Sequence, residues 1–333
     1  MSPGEAALVE RPYQDGVARP AGVGQVFGID VDAPAIVSLA GPGGELVRGR
    51  RTKVRMTSAE SLMEQWRPRN PTAFIRRRYA DGRLSMTVDY DEDCGYLIYA
   101  PWYGRYLVSP DGRSVLSAMP NVPRWRWQIV LYAQALPLAA TLQGLELLHA
   151  SAVLLDGRLL AFSAPSGTGK TSVAAHLVAG GATLLTDDVL AVERRGKTIL
   201  AYPGAPLTKV SATELAAIPR PARGRLGTRI GRNDKILLHA PVPEQPHALD
   251  SIYFLRRSPG IGRLAVEHVA ADPLRLLGHS FNTYVRTRER IVNQLAVHAV
   301  LVESVRLFSV SIPPSVPAPE VARAVRAHAR EAA

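Results

Sequence analysis

The stretch LLAFSAPSGTGKTSVAAHLVAGG, residues 159–181, decides the fold. Its first half, LLAFSA, is an apolar run of strand length, and its last part, KTSVAAHLVA, has the composition of a helix closed by Gly180-Gly181. Between them lies a near match to the phosphate-binding pattern G-x-x-x-x-G-K-[ST], completed by Gly169, Lys170 and Thr171. The first position of the pattern is Ala164, not glycine. A methyl group is tolerable there if φ is negative, and Pro165 stiffens the entry. In such a loop successive backbone N–H groups turn around phosphate oxygens, and the following helix adds the positive end of its dipole. Gly167 and Gly169 let the backbone curl close to the anion. Ser166, Gly167, Thr168, Gly169, Lys170, Thr171 and Ser172 are therefore the expected nucleotide contacts, with Lys170 on the β/γ-phosphates and the Thr171 hydroxyl on Mg²⁺.

Working outward, SAVLLDGRLLAFSA reads as two strands joined at Asp156-Gly157-Arg158. After the helix, ATLLTDDVLAVERRGKTILAYPG gives further strands with a turn over 194–197. Asp187 and Asp188 close the first of these strands, and strand ends face the ligand crevice in open α/β sheets. One carboxylate of such a pair can hold Mg²⁺ while the other accepts a proton from an attacking hydroxyl. Neighbours on a regular strand face opposite ways, so the strand must end or bulge here. His149, in LLHASAV, lies at the start of the strand pair leading into the loop. Taken alone, such a histidine is more often structural.

The remaining chain bounds the class. Of 333 residues, 47% are hydrophobic, and the mean hydropathy is zero, as expected of a globular protein. The N-terminal MSPGEAALVERPYQDG lacks the apolar core of a signal peptide and reads as a loose tail. The most apolar stretch, IVLYAQALPLAATL (129–142), is too short to span a bilayer and carries Gln134 and Pro137, so a buried helix is expected. The lone Cys94 forms no internal disulfide and sits among carboxylates that raise a thiol pKa, which fits a cytoplasmic protein. Net charge is +11, but only five of the 40 basic residues are lysines. Arginine clusters at Arg48, Arg50, Arg51 and Arg55, at Arg76, Arg77 and Arg78, and over 220–232 read as a solvated surface. No RNA-binding or zinc pattern accompanies them, so nucleic acid is not an expected partner.

Residues 22–118 read as short strands and turns, among them AIVSLA (35–40), LSMTVDY (84–90), GYLIYA (95–100) and RYLVSP (105–110). A break at MPNVP (119–123) precedes a helix expected to bend at Pro137. Residues 219–234, rich in Pro, Gly and Arg, read as a long mobile loop and a lid. SIYFLRR (251–257) and LFSVSI (307–312) read as strands, and 273–303 and the C-terminal PEVARAVRAHAREAA as helices. The expected organisation is a mostly β accessory domain over 1–120 and an α/β domain holding the loop over 121–333.

His149, the loop and the Asp187-Asp188 pair occur in the order and at the spacing that resembles the core of HPr kinase/phosphorylase and its relatives. The resemblance covers about 120–312 and is strongest over 149–193. It implies an α/β fold of the HPr kinase and phosphoenolpyruvate carboxykinase-like type, with a P-loop on a mixed sheet. It implies ATP- and Mg²⁺-dependent phosphorylation of a serine hydroxyl. On this likeness Asp187 is the catalytic base with His149 near it, Lys170 binds phosphate, and Thr171 and Asp188 bind the metal. The chain departs from the family at Ala164 and at Ser172, where an acidic residue often follows the lysine-serine pair. It looks more like the relatives beside ribosomal-peptide pathways, lasso peptides included, so a precursor peptide is one candidate acceptor.

Two other functions fit the same residues: a small-molecule kinase on this scaffold, and a nucleotide-binding regulatory module that does not turn over. A DNA-binding ATPase would rest on the arginine clusters alone. Within the lid, Arg232 and the nearby Lys235 are expected to contact the transferring phosphoryl group or an acidic peptide end. A homo-oligomer is compatible with these readings.

Overall fold

The computed structural model describes residues 22–34, 49–270 and 272–332, so the strand expected over 35–40, the N-terminal tail and Arg48 lie outside the described residues. The chain is mixed α/β. An eight-stranded N-terminal sheet is built from β1 (Gly22–Val26), β2 (Ile29–Ala33), β3 (Arg51–Met56), β4 (Thr72–Arg78), β5 (Leu84–Asp91), β6 (Gly95–Ala100), β7 (Gly104–Val108) and β8 (Ser114–Ala118). Its spatial order is β1-β2-β3-β8-β7-β6-β5-β4, antiparallel except at β2–β3 and β3–β8. Alternation sends Met86 and Val88 of β5 to the same side as Ile98 of β6 and Tyr106 of β7, where they are buried. On the other side α1 (Ala59–Gln65) covers Leu97 and Leu107 with Leu62 and Trp66.

The inner face packs on a helical run over 124–142. It comprises α2 (Arg124–Val130), a π-helical stretch Leu131–Ala135 and α3 (Leu136–Leu142). The irregularity precedes Pro137 instead of centring on it. Proline has no N–H and its ring collides with the preceding turn, and a wider turn accommodates both defects without breaking the helix. The run is buried as its apolar composition demands, with Leu131, Leu136, Leu138 and Ala139 fully covered.

The second sheet contains β9 (Glu146–Leu148), β10 (Ala150–Leu155), β11 (Arg158–Ser163), β12 (Thr183–Thr186), β13 (Leu190–Arg195) and β14 (Thr198–Tyr202). It also takes in β18 (His247–Arg257), β19 (Ala265–His268) and β20 (Arg306–Ile312). β10 and β11 form a hairpin whose turn residues Asp156 and Gly157 both have positive φ, the signature of a tight hairpin turn. β11 runs parallel to β18 and β18 parallel to β20, while β14 and β13 continue from the N-terminal end of β18 to β9. On one face lie α4 (Lys170–Ala179) and α9 (Ala318–Glu331), filling a core with Phe162, Val173, Leu177, Val321 and Val325. On the other lie α7 (Pro273–Leu277) and α8 (Arg288–Ser304), with Leu276, Val297 and Leu301 against Ala161 and Ile252.

Residues 219–234 are not a long irregular loop. They carry α6 (Arg220–Arg223), a 3-10 turn Gly224–Leu226 and β16 (Thr228–Arg232). β16 pairs with β17 (Ile236–His239), which pairs with β15 (Leu207–Val210), in a three-stranded sheet whose first strand precedes α5 (Ala212–Ala217). The Pro and Gly content that suggested a loop serves the turns. Gly227 has φ +105 and lies so close to the His239 carbonyl that a Cβ would sit 1.9 Å from its oxygen.

The position 120/121 falls between β8 and α2, but one hydrophobic cluster runs across it. Val26, Phe27 and Ile29 share that cluster with Leu131, Leu145, Val189, Ala191, Tyr202 and Leu237. Arg50 of the N-terminal half also pairs with Glu193, which accepts from the Tyr202 hydroxyl at 2.5 Å. No helix among the described residues is long and apolar enough to cross a membrane. The Cys94 thiol is pushed up, by its desolvation first and by Asp91 and Asp93 after it.

Candidate active site

β11 ends at Ser163, and the chain passes through 164–169 into α4. Ala164 is buried and belongs to the core under α4. Gly167 and Gly169 have φ of +86° and +111°, so the loop needs glycine for conformation, although both positions have open space around them. Gly169 is the N-cap of α4 and offers no capping side chain. The first-turn N–H groups of a ten-residue helix are thus presented to whatever the loop holds.

Lys170, the first residue of α4, is 6% exposed. Its Nζ donates to His149 Nε2 at 2.8 Å and to the Ala164 carbonyl at 2.8 Å. Burial lowers its pKa, opposed by Asp188 and Asp187 and assisted by Lys235. The ammonium donates to Nε2, so that nitrogen is the unprotonated one and the ring proton belongs on Nδ1. Nδ1 lies 3.6 Å from Asp188 Oδ1. Burial depresses the His149 pKa, Lys170 depresses it further, and Asp188 opposes both. The imidazole is held from behind: its backbone N–H donates to the His279 carbonyl at 2.7 Å, and the ring stacks on Phe281 at 6.2 Å.

β12 stops at Thr186, and the chain turns through Asp187 and Asp188, the latter with φ +73°. The strand end required by two adjacent, cooperating carboxylates is therefore present. Gly204 permits it, since a Cβ there would lie 1.9 Å from Thr186 Oγ1. The Asp187 carboxylate accepts from four donors. Ser151 Oγ (2.7 Å) and Thr171 Oγ1 (2.9 Å) reach Oδ1, while Thr208 Oγ1 (2.8 Å) and the Lys209 N–H (3.3 Å) reach Oδ2. Asp188 is about half exposed, and its N–H points to Ser151 Oγ at 3.4 Å.

Thr171, Asp187 and Asp188 line a cleft of about 180 Å³, to which Ser166, Lys209 and Lys235 also contribute polar groups. The fold therefore brings together His149, Lys170, Thr171, Asp187 and Asp188, with Ser166 and Lys235 at the same cleft. Gly167, Thr168 and Gly169 form the loop itself, and Ser172 lies on the first turn of α4. Arg232 is exposed at the end of β16 and does not line the cleft. Ser151 and Thr208 escaped the sequence reading. Neither left a signal in the sequence: Ser151 reads as a small residue of an apolar strand, and only the fold shows its hydroxyl fully buried on Asp187.

A divalent cation fits the donor set. Thr171 Oγ1 and the two carboxylates are hard oxygen ligands, and Mg²⁺ takes few protein ligands because it keeps water and phosphate oxygens. Among the described residues no cluster of three His, Cys, Asp or Glu side chains forms a closed metal site.

No protein-family model and no curated protein matches this chain. A solved structure described as the HPr(Ser) kinase/phosphatase from Coxiella burnetii aligns over 56% of this chain and 97% of its own length. The identity is 12% and the TM-score 0.33.

Proposed function

We propose that this protein is a kinase of the HPr kinase and phosphoenolpyruvate carboxykinase-like type. It would transfer the γ-phosphoryl group of ATP, with Mg²⁺, to a serine hydroxyl of a peptide or protein, a ribosomal precursor peptide among the candidates. The observation that carries the reading is the cluster His149–Lys170–Thr171–Asp187–Asp188, joined by contacts of 2.8–3.6 Å at the N-terminus of α4. A module that only binds nucleotide needs the loop and one metal ligand, not a second carboxylate beside a histidine. Residues 166–172 cradle the phosphates, and Lys170 turns from Ala164 onto the terminal phosphates. Mg²⁺, when bound, neutralises phosphate charge. The acceptor O–H passes its proton to one carboxylate of the pair. Its oxygen bonds to the γ-phosphorus as the bond to the β–γ bridging oxygen breaks, and ADP leaves with that electron pair.

The resemblance gives Asp187 the base role and Asp188 the metal role. A second division is favoured by the Asp187–Thr171 contact: Asp187 serves the metal with Thr171, and the freer Asp188, beside His149, takes the proton. Residues 1–120 and 121–333 are proposed as two domains sharing one core, in a cytoplasmic protein.

The test is incubation with [γ-³²P]ATP–Mg and a serine-peptide library, together with titration by a fluorescent ATP analogue. Label on peptide serine that Lys170→Ala reduces by about 10²-fold or more supports the reading. Nucleotide binding without any transfer makes the chain a regulatory module, and label on metabolites alone makes it a small-molecule kinase. Absence of nucleotide binding removes the P-loop reading altogether.

A further inference from the structure

The cleft that the two carboxylates line also has an apolar lining, which comes from outside the strand–loop–helix unit. Ile129, Tyr132 and Ala133 come from the helical run over 124–142, Val189 and Leu207 from the second half of the chain, and Phe27 from the turn between β1 and β2. Phe27 is held there at a cost. Its φ is +52°, a left-handed conformation that a bulky side chain seldom adopts. Its N–H donates to the Pro203 carbonyl at 2.8 Å, which fixes the turn onto the second sheet. The next residue, Gly28, has no room for a side chain, since a Cβ would meet Leu145 and Tyr202 at 2.9 Å. A strained turn that only glycine can complete thus carries an aromatic residue of the N-terminal sheet to within one cleft of Thr171, Asp187 and Asp188.

We infer that this lining is the acceptor subsite, and that it selects a serine or threonine flanked in its peptide by an aliphatic or aromatic residue. The inference rests on the phosphotransfer reading. A polyol or sugar acceptor would bring hydroxyls against Ile129 and Ala133, the partly exposed apolar residues of the lining, and each hydroxyl left without a partner opposes binding. Charged flanks are disfavoured by the same lining. Phe27, itself buried, backs this lining from the N-terminal half, which gives the core shared across position 120 a functional reason.

A peptide library with a central serine and one varied flank, labelled with [γ-³²P]ATP–Mg, tests this. Leu, Ile or Phe beside the serine is expected to raise kcat/KM about tenfold or more over Asp, Lys or Gly, the discrimination a hydrophobic pocket achieves. Ala133→Leu, which narrows the cleft, is expected to raise the peptide KM about tenfold while the affinity for a fluorescent ATP analogue stays within twofold. Ala133 and Ile129 are both only partly buried, so Ile129→Thr provides a second variant with the same expected split should Ala133→Leu misfold. Labelling indifferent to the flank, or an unaltered peptide KM in both variants, overturns the subsite while leaving phosphotransfer standing. Labelling of glycerol or glucose in preference to every peptide does the same. No label on any acceptor overturns both readings together.

Discussion

Asp187→Asn is the most informative single change at this site. The carboxylate accepts four hydrogen bonds, two on each oxygen. Asparagine keeps one acceptor oxygen and replaces the other by an NH₂ donor. Of the four donors only the Lys209 N–H is fixed in role, because it is backbone. The Asn oxygen therefore takes the Thr208 and Lys209 side, and the NH₂ faces Ser151 and Thr171, whose hydroxyls rotate to accept. All four contacts survive, but each loses its charge assistance. A hydrogen bond to a charged group contributes about 1.5–3 kcal/mol and a neutral one about 0.5–1.5, so four losses of about 1–1.5 kcal/mol each bound the cost at about 6 kcal/mol. The site is partly open to water, which brings the expected destabilisation to roughly 1–3 kcal/mol. That corresponds to a melting point lowered by a few degrees, with folding intact. Phosphotransfer, by contrast, should fall by about 10²-fold or more whether the lost charge served as base or as metal partner. Nucleotide titrations with and without Mg²⁺ then separate the roles. If Asp187 serves the metal, the Mg²⁺-dependent gain in nucleotide affinity disappears in Asp187→Asn and survives in Asp188→Asn. If it is the base, the pattern reverses. A folded Asp187→Asn protein with wild-type turnover would refute both divisions and the assignment of the cleft.

Gly169→Ala should weaken binding of a fluorescent ATP analogue and lower stability by about 1–3 kcal/mol, a purely conformational cost since φ is +111° and the space around it is open; unchanged melting and affinity would show that the loop relaxes. Lys235→Ala should lower phosphotransfer about tenfold or more with ATP affinity nearly intact, while Arg232→Ala, exposed and away from the cleft lining, should stay within twofold; equal effects in steady-state kinetics would contradict the placement of the two residues. Fully buried His298 has its pKa lowered to about 4, by desolvation first and by Arg290 second. Its contribution is therefore complete above the unfolded value of about 6.5 and lost as pH falls toward 4, roughly 3 kcal/mol in all. Burial raises Glu146 beside it, with the opposite sign, so the readout is the difference between wild type and His298→Asn in urea melts at pH 7.5, 5.5 and 4. Parallel losses in the two proteins would show that His298 does not titrate as described.

What was legible in the sequence is what is local. The hairpin at Asp156-Gly157, the strand into the loop, the helix closed at Gly180-Gly181 and the strand ending in two aspartates each announce themselves within ten residues, because turn chemistry and apolar period act at that range. The segment 219–234 misled because Pro, Gly and Arg mark turns whether or not strands lie between them. What makes β16 a strand is its partner Ile236–His239, and pairing is not written in composition. The helix over 124–142 was legible as buried, yet its π-helical stretch was not, since the proline's effect depends on how the preceding turn is packed.

The candidate site divides along the same line. His149, Lys170, Thr171 and the aspartates belong to a segment where chemistry and spacing coincide, and the fold brings all five together. The residues that hold them come from elsewhere. Ser151 looks like any small residue of an apolar strand until its hydroxyl is found on Asp187, and Thr208 reaches the same carboxylate from β15, a strand of the separate three-stranded sheet. Phe27 lies farther still in sequence, and its place depends on a left-handed turn whose Gly28 is required only because Leu145 and Tyr202 press on it. A spacing pattern over 149–193 can carry the groups that touch phosphate, because the loop and the two strand ends around it fix their relative positions. It does not carry most of the proposed acceptor side, which residues outside that segment build by packing. On the proposed reading, two chains sharing the pattern can share the transfer chemistry and differ in acceptor, and in this chain the difference would lie with the helix face of Ile129 and Ala133, backed by the turn at Phe27.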